Sequence, residues 1–305
     1  MKTICIILLA LTFNLSAQDP LLTNTQQSLI HLNPSFAGSN GLFRYQSFYR
    51  NQWPALSGSY TTFYNSVDAY IKPIQGGIAL AYMRDDQARG TLTTDKLDLS
   101  YAQHLSFPDH KLKIVPSVQL SYFQKTLDQS RLTFGSQLSP QRGFVWSNSL
   151  TPYARTSNLD LSAGLMVNYR HWYVGGSIFH MLRPDEGLTG PSKLPVRVSL
   201  FTSYNWFIGE QVILNGMYRF EQQQNFYNHR FSINALLFKH LLVGSGFRQN
   251  NQANIMVGYR HPYFSVSGSY EPGMGRVSAA SYELAASFNL RPKETRKETG
   301  DFERW

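Results

Sequence analysis

From Leu42 to Leu290 the chain shows almost no helical spacing of apolar positions. It shows instead a persistent alternation of apolar and polar residues, the pattern of strands whose two faces meet different surroundings. In "SYELAASFNL" Tyr282, Leu284, Ala286, Phe288 and Leu290 share one face, and Ser281, Glu283, Ser287 and Asn289 the other. Leu159, Leu161, Ala163, Leu165, Val167 and Tyr169 alternate in the same way with Asp160, Ser162, Gly164, Asn168 and Arg170. Leu97, Leu99, Tyr101 and Leu105 alternate with Asp98, Ser100, Ala102 and His104. Segments of about ten residues are longer than most strands of water-soluble proteins and are what a tilted strand needs to cross a bilayer.

The pattern divides into fourteen strands, starting near residues 42, 59, 76, 91, 111, 158, 172, 195, 210, 226, 241, 252, 262 and 276. The predicted fold class is therefore all-β: a transmembrane antiparallel β-barrel of about 14 strands over residues 41–290, preceded by a cleaved signal peptide. An even count brings both ends of the sheet to one rim. Even-numbered connections are short, as in "IKPIQGG", "SFPDHKL" and "NWFIGEQ", whereas every long one is odd: residues 127–157 form connection five and 182–194 connection seven. Outer-membrane barrels have short periplasmic turns and longer outer loops, so the even rim is predicted to be periplasmic. Three even turns repeat one phrase of aromatic, cation and histidine: "YRHWYVGGS" from Tyr169, "FKHLLVGSG" from Phe238 and "YRHPYFSVSGS" from Tyr259. Its aromatic is expected at the membrane interface, with the cation and histidine toward water.

Lys2, an apolar run from Ile4 to Leu15, and the small residues Ser16 and Ala17 read as a secretory signal peptide, residues 1–17, cut between Ala17 and Gln18. The run is too short for a membrane anchor. Cys5, the single cysteine, lies within it, so the mature chain is expected to have neither disulfide nor thiolate metal site. Residues 18–40 are polar and punctuated by Pro and Gly; they are predicted to cross or line the periplasmic mouth. Residues 291–305 mix charges without an apolar period and read as a charged periplasmic tail.

Composition sharpens this picture. Aromatics reach 14% while the apolar share is 42%, and no run of about 18 apolar residues follows the signal, which excludes transmembrane helices. The net charge of +9 becomes +8 once Lys2 is lost, which suits contact with anionic outer-membrane lipid and lipopolysaccharide. Nucleic acid is not a partner expected of an exported chain.

The eight histidines raise the question of chemistry. There is no HExxH or Cys-His spacing, and His171, His240 and His261 each follow a cation that disfavours a bound metal. Neither GxSxG nor a phosphate-cradling glycine motif occurs. His104 is expected near the end of the fourth strand, pointing inward, as a hydrogen-bonding group. No catalytic, metal or cofactor site is predicted, and the chain is not read as an enzyme. The alternation assigns Lys96, Asp98, Lys113, Asp160, Arg170, Arg197, Arg219, Glu221, Arg230 and Glu283 to the lumen. Such charges either pair and close the pore or line a water channel.

"QDP" at 18–20, "NPSFAG" at 33–38 and "YRNQW" at 49–53 resemble the opening of the PorP/SprF family of outer-membrane proteins of the type IX secretion system in Bacteroidetes. The resemblance continues through "GGIALAYMRDD" at 76–86, "LDLSYAQHLSF" at 97–107 and "LDQSRLTFGSQLSPQRGFV" at 127–145, and so covers nearly the whole mature chain. It implies an outer-membrane barrel that works with the secretion and gliding machinery, often serving one exported surface protein with a C-terminal sorting domain, and it carries over no catalytic residue. The charged tail after Leu290 departs from the family pattern, in which the chain tends to stop soon after the last strand. Connection five holds Arg131, Phe134, Arg142, Phe144 and Trp146, a mixture of aromatics and arginines that protein interfaces favour, and these are the candidate partner-binding residues. A basic loop resting on lipopolysaccharide is the alternative for that loop. For the whole chain the alternative is a channel or transporter for a small solute.

Overall fold

The computed structural model describes residues 19–24, 27–41, 43–56, 58–107, 111–132, 138–139, 143–144, 153–188, 190–249, 252–273 and 279–290. Fourteen long strands follow one another: β1 (Phe43–Gln52), β2 (Tyr60–Ile71), β3 (Gly76–Gln87), β4 (Leu92–Gln103), β5 (Leu112–Asp128), β6 (Tyr153–Tyr169) and β7 (Trp172–Phe179), then β8 (Arg197–Ile208), β9 (Val212–Gln223), β10 (Phe226–Leu237), β11 (Leu241–Arg248), β12 (Gln252–Arg260), β13 (Phe264–Glu271) and β14 (Ser281–Leu290). Each pairs antiparallel with its neighbours in sequence, and β1 pairs with β14 from Phe43↔Leu290 to Gln52↔Ser281. The sheet is thus closed, and no strand edge is left to a solvent that cannot hydrogen-bond it. Among the described residues no helix is long and apolar enough to cross a membrane.

The outward faces are those the alternation assigns. Leu97, Leu99, Leu159, Leu161, Leu165, Tyr282, Leu284, Phe288 and Leu290 are exposed, whereas Asp98, Ser100, Asp160, Ser162, Ser281 and Glu283 are buried. A chain dissolved in water would bury the first set. Here the exterior is apolar and the interior polar, as a barrel in hydrocarbon requires.

Strand starts fall within two residues of the alternation except at β6 and β14, which begin at Tyr153 and Ser281 rather than near 158 and 276. At the top of β5 and β6 the residues are polar on both faces, as with Gln124, Thr126, Thr156 and Ser157, so no alternation marks them; ladder pairs from Leu127↔Ala154 to Asp128↔Tyr153 hold them in the sheet. Connection five therefore spans 129–152 rather than 127–157. Pro116 in β5 has no N–H to give. The ladder with β4 accordingly stops at Ala102↔Ser117 and resumes at Leu105↔Ile114, while on the other side the His104 N–H continues the β3 register to the Gln75 carbonyl at 3.0 Å.

The repeated phrase forms hairpin turns at one rim. Tyr169 pairs with Trp172 around a two-residue loop, and Arg170 takes a left-handed φ of 53°. Phe238 and Lys239 do the same at 52° and 65°, the backbone that tight hairpins demand. One expectation is corrected here: Arg170 does not face the lumen but lies exposed in the turn, its guanidinium 5.6 Å from the centre of the Tyr169 ring.

Candidate functional site: the filled lumen

The described part of the N-terminal segment runs inside the barrel from one end to the other. It does not stay at the mouth on the even rim. Its far end, Asp19, meets His180 and Arg197 where the odd connections begin, and Asn40 reaches Asn289 at the even rim. Glu271, Glu283 and Arg230 meet it along the way.

At the even rim the motif "NPSFAG" fits the wall by backbone approach. Asn33 is extended, as a residue before proline prefers, and its side chain accepts from the Ser35 N–H at 2.8 Å, capping the short 3-10 turn Pro34–Phe36. Its amide also donates to the Gly176 carbonyl at 3.0 Å. Ser35 and Ser117 hydroxyls meet at 2.9 Å, and His104 Nε2 lies 2.9 Å from the Ala37 carbonyl, so His104 has the inward hydrogen-bonding role its position suggests. Gly38 has a φ of 69° and donates its N–H to Asp68 at 2.8 Å, while Asp68 also receives Arg44 at 2.7 Å. A Cβ on Gly77 would lie 2.0 Å from the Ala37 carbonyl oxygen, so Gly77 is the wall's counterpart to the motif.

Next to the motif, the single-turn helix α1 (Leu29–Leu32) and Phe36 pack against Ala79, Ala102, Val115, Met166, Phe201 and Met217. This small apolar core stands where an open pore would hold water. Above it the contacts become ionic. Glu283 accepts the Thr23 and Asn24 N–H groups at 2.6 and 2.9 Å, and Arg230 donates to the Leu22 and Thr23 carbonyls at 3.0 and 2.7 Å. Arg50 lies 3.3 Å from Glu271 and 3.8 Å from Glu283, and Arg248 lies 3.0 Å from Glu271. Buried charges are retained at tolerable cost when they are paired and hydrogen-bonded as these are.

The segment is pinned at the odd end by a cluster around His180, which takes a left-handed φ of 60° just beyond β7. Its Nδ1 lies 2.7 Å from Asp160 and its Nε2 2.7 Å from Asp19, while Arg197 lies 3.1 Å from Asp19. Burial alone would push the Asp19 carboxyl up, but His180 and Arg197 outweigh it and hold the group well below the usual carboxylate range. Burial likewise opposes charge on His180, yet Asp19 and Asp160 raise its pKa above the ordinary histidine value. With both ring nitrogens so engaged, the imidazole acts as a charged clasp and has no nitrogen left for a substrate or metal.

Of the candidate partner-binding residues, Arg131 is exposed at the odd rim and lies 3.0 Å from Asp128, with a further hydrogen bond to the Arg89 carbonyl. Phe144 belongs to a two-residue ladder, Leu138–Ser139 with Gly143–Phe144. Phe134, Arg142 and Trp146 lie outside the described residues, as do Ala17, Gln18 and the 291–305 tail. Only Arg131 and Phe144 of the set lie among the described residues. Asp19, Arg44, Arg50, Asp68, Arg248 and Glu271 join the lumenal network although they are missing from the sequence assignment. Arg44 and Arg50 share the parity of Gln46 and Phe48 between outward Tyr45 and Tyr49, a signal the sequence does carry. Asp19 could not be found that way, because it lies in no strand.

Over residues 14–288 the sequence matches the type IX secretion system membrane proteins PorP/SprF. The chain belongs to the PorP/SprF family. Its place is the outer membrane, consistent with the closed barrel and apolar exterior. No curated protein matches the sequence. Among solved structures, the CymD monoaromatic hydrocarbon channel is 10% identical, with 91% of this chain and 95% of that one covered at a TM-score of 0.54. The TodX deltaS2S3 mutant monoaromatic hydrocarbon channel is also 10% identical, with 88% and 94% covered at a TM-score of 0.52. At that identity the likeness is one of fold.

Proposed function

We propose that this PorP/SprF protein is a non-enzymatic accessory of type IX secretion that helps one exported protein with a C-terminal sorting domain to reach or stay on the surface. The observation that carries this reading is the filled lumen: residues 19–24 and 27–41 occupy the path a solute would take, so the useful surfaces are the rims and the outer wall. That the fold neighbours are hydrocarbon channels weighs little beside that, at 10% identity. In this reading residues 1–17 are removed as a signal peptide, the even rim and the 291–305 tail face the periplasm, and connection five faces outward. Arg131, Phe134, Arg142, Phe144 and Trp146 then form the docking surface for the cargo, beside secretion components and lipopolysaccharide.

The test is a strain carrying Phe144→Ala with Trp146→Ala. Barrel abundance should be unchanged while the surface level of one secreted protein falls. Normal display of every type IX cargo in a strain lacking the whole protein would overturn the secretion role.

A further inference from the structure

Strand β6 rises higher than one of its neighbours. Its ladder with β5 runs from Leu112↔Tyr169 to Asp128↔Tyr153, but its ladder with β7 ends at Ile178↔Ala163. His180 then turns the chain aside with its left-handed φ, and the Met181 N–H makes a last bond to the Leu161 carbonyl at 3.0 Å. Tyr169 and Trp172 face each other across a two-residue turn as a hydrogen-bonded pair, so every second residue counted back from Tyr169 directs its N–H and C=O toward the β7 side. By that count Leu159, Ser157, Arg155 and Tyr153 present theirs to an edge, where no group among the described residues is hydrogen-bonded to them.

The loop beyond β7 leaves that edge uncovered because it leans over the lumen. Asn158 and Thr156, inward like the buried Asp160, hold the Asp185 carbonyl at 2.6 and 3.4 Å, and inward Lys125 meets Glu186 at 2.9 Å. The edge also stands in water. The outward row Tyr82, Leu97, Tyr122 and Leu159, joined pair by pair across β3 to β6, is apolar and exposed. The next row toward the odd rim is Arg84, Asp95, Gln124 and Ser157, in which Arg84 lies 3.4 Å from Asp95 and Gln124 donates to Ser157 at 3.1 Å. Hydrocarbon therefore ends below Ser157, and a bare sheet edge that lipid could not tolerate is, in water, a template for pairing.

We propose that the β6 edge from Leu159 to Tyr153 docks an extended segment of a second protein, which joins the wall as a strand antiparallel to β6 and sets a carboxylate beside Arg155. Main-chain bonds supply the pairing, and side chains the choice of partner. Arg155 is exposed on the outward face of the edge, and exposed Arg183 and Lys193 stand in the adjoining loop, whose Asp185 carboxylate is engaged by the Gly187 and Ser192 N–H groups at 2.9 and 2.8 Å. A facing Asp or Glu on the added strand meets that charge. A second copy of this chain does not fit. Two copies in one membrane are related by an axis along its normal, which would set the two β6 edges side by side with like backbone groups opposed and their faces reversed. The site rests on the ladder geometry and does not depend on the secretion role.

The test uses the full-length barrel, isotope-labelled and in detergent micelles, with amide exchange read residue by residue by NMR. In the free protein the Arg155, Ser157 and Leu159 amides should exchange fast, between slow Ala154, Thr156 and Asn158, whose N–H groups face β5. An excess of the peptide acetyl-Thr-Val-Glu-Val-Thr-amide should slow the first three, and the same peptide N-methylated at every residue should not. Ser157→Pro removes an N–H that points only to the edge, so the barrel should persist while the slowing at Arg155 and Leu159 is lost. Arg155→Glu should weaken binding of the glutamate peptide about fivefold and favour its lysine counterpart; as an exposed substitution it serves should the proline variant fail to fold. Slow exchange at the three amides in the free protein would mean that this chain covers its own edge, and would overturn the site. Exchange unchanged by the peptide, or equal slowing by its N-methylated form, would do the same. Equal binding of the glutamate and lysine peptides by the parent would overturn the carboxylate.

Discussion

Asp19 and His180 lie 161 residues apart in sequence, and together they fasten the free end of the lumenal segment. Their stabilisation depends on pH in opposite senses. The Asp19 contribution is complete above the ordinary carboxylate pKa of about 3.9 and fades as pH falls through its lowered native value. The His180 contribution is complete below the ordinary histidine pKa of about 6.5 and fades as pH rises through its raised native value. Facing the pair are Asp160, Arg197, Lys96 and Gln223, of which Arg197 stays charged throughout. Amide protection factors at residues 19–24 should therefore be greatest in weak acid and decline on the alkaline side. Asp19→Asn should lower them and flatten the alkaline decline; protection unaltered in that variant would refute the clasp. The sequence makes Asp160 lumenal by parity, but nothing in it pairs that residue with position 19. The pairing depends on where a non-periodic segment ends up in space.

The strands behave as elements with two separate duties. On β14, Leu284 faces lipid and Glu283, one residue before it, holds Thr23 and Asn24. Leu284→Arg should cost about 2–4 kcal/mol if it lies near the bilayer midplane and reduce the fraction of protein that migrates as folded barrel in cold SDS gels. Glu283→Gln should leave that fraction near normal while loosening the N-terminal segment. Similar losses of barrel in both variants would show that the two faces are not independent. The faces and nearly all strand starts are legible because hydrocarbon outside and polar groups inside impose a period of two. The tops of β5 and β6 are not, because water on both sides removes the contrast. The helix α1 is equally illegible: a single turn of four residues has too little length for periodicity and is held by the wall around it.

For the molecule as a whole, a lumen filled by an apolar core and paired charges should conduct little. Purified protein in planar bilayers should show no large steady channel, and deletion of residues 21–32 should raise conductance by removing α1 and the Thr23–Asn24 anchor. Large stable channels in the parent protein would favour solute transport instead. Orientation is checked by single cysteines. Ser192→Cys should react with an impermeant thiol reagent on intact cells, and Glu210→Cys only after the outer membrane is breached. The reverse pattern would invert the barrel. The sequence makes the barrel, its parity and the mixed lumenal charges evident; whether the charges close the pore is decided by the segment before β1, whose polar composition says nothing of depth.

The seam between β1 and β14 ties the wall to what it encloses. Its ten residue pairs complete the wall, and the last strand made is also the one that supplies Glu283 to Thr23 and Asn24 and Asn289 to Asn40. The strand that closes the wall is thus also a strand that grips what the wall encloses, at Glu283 near its start and at Asn289 near its end. Closure and filling meet on one strand, whose outer face answers to lipid and whose inner face answers to the amino-terminal segment.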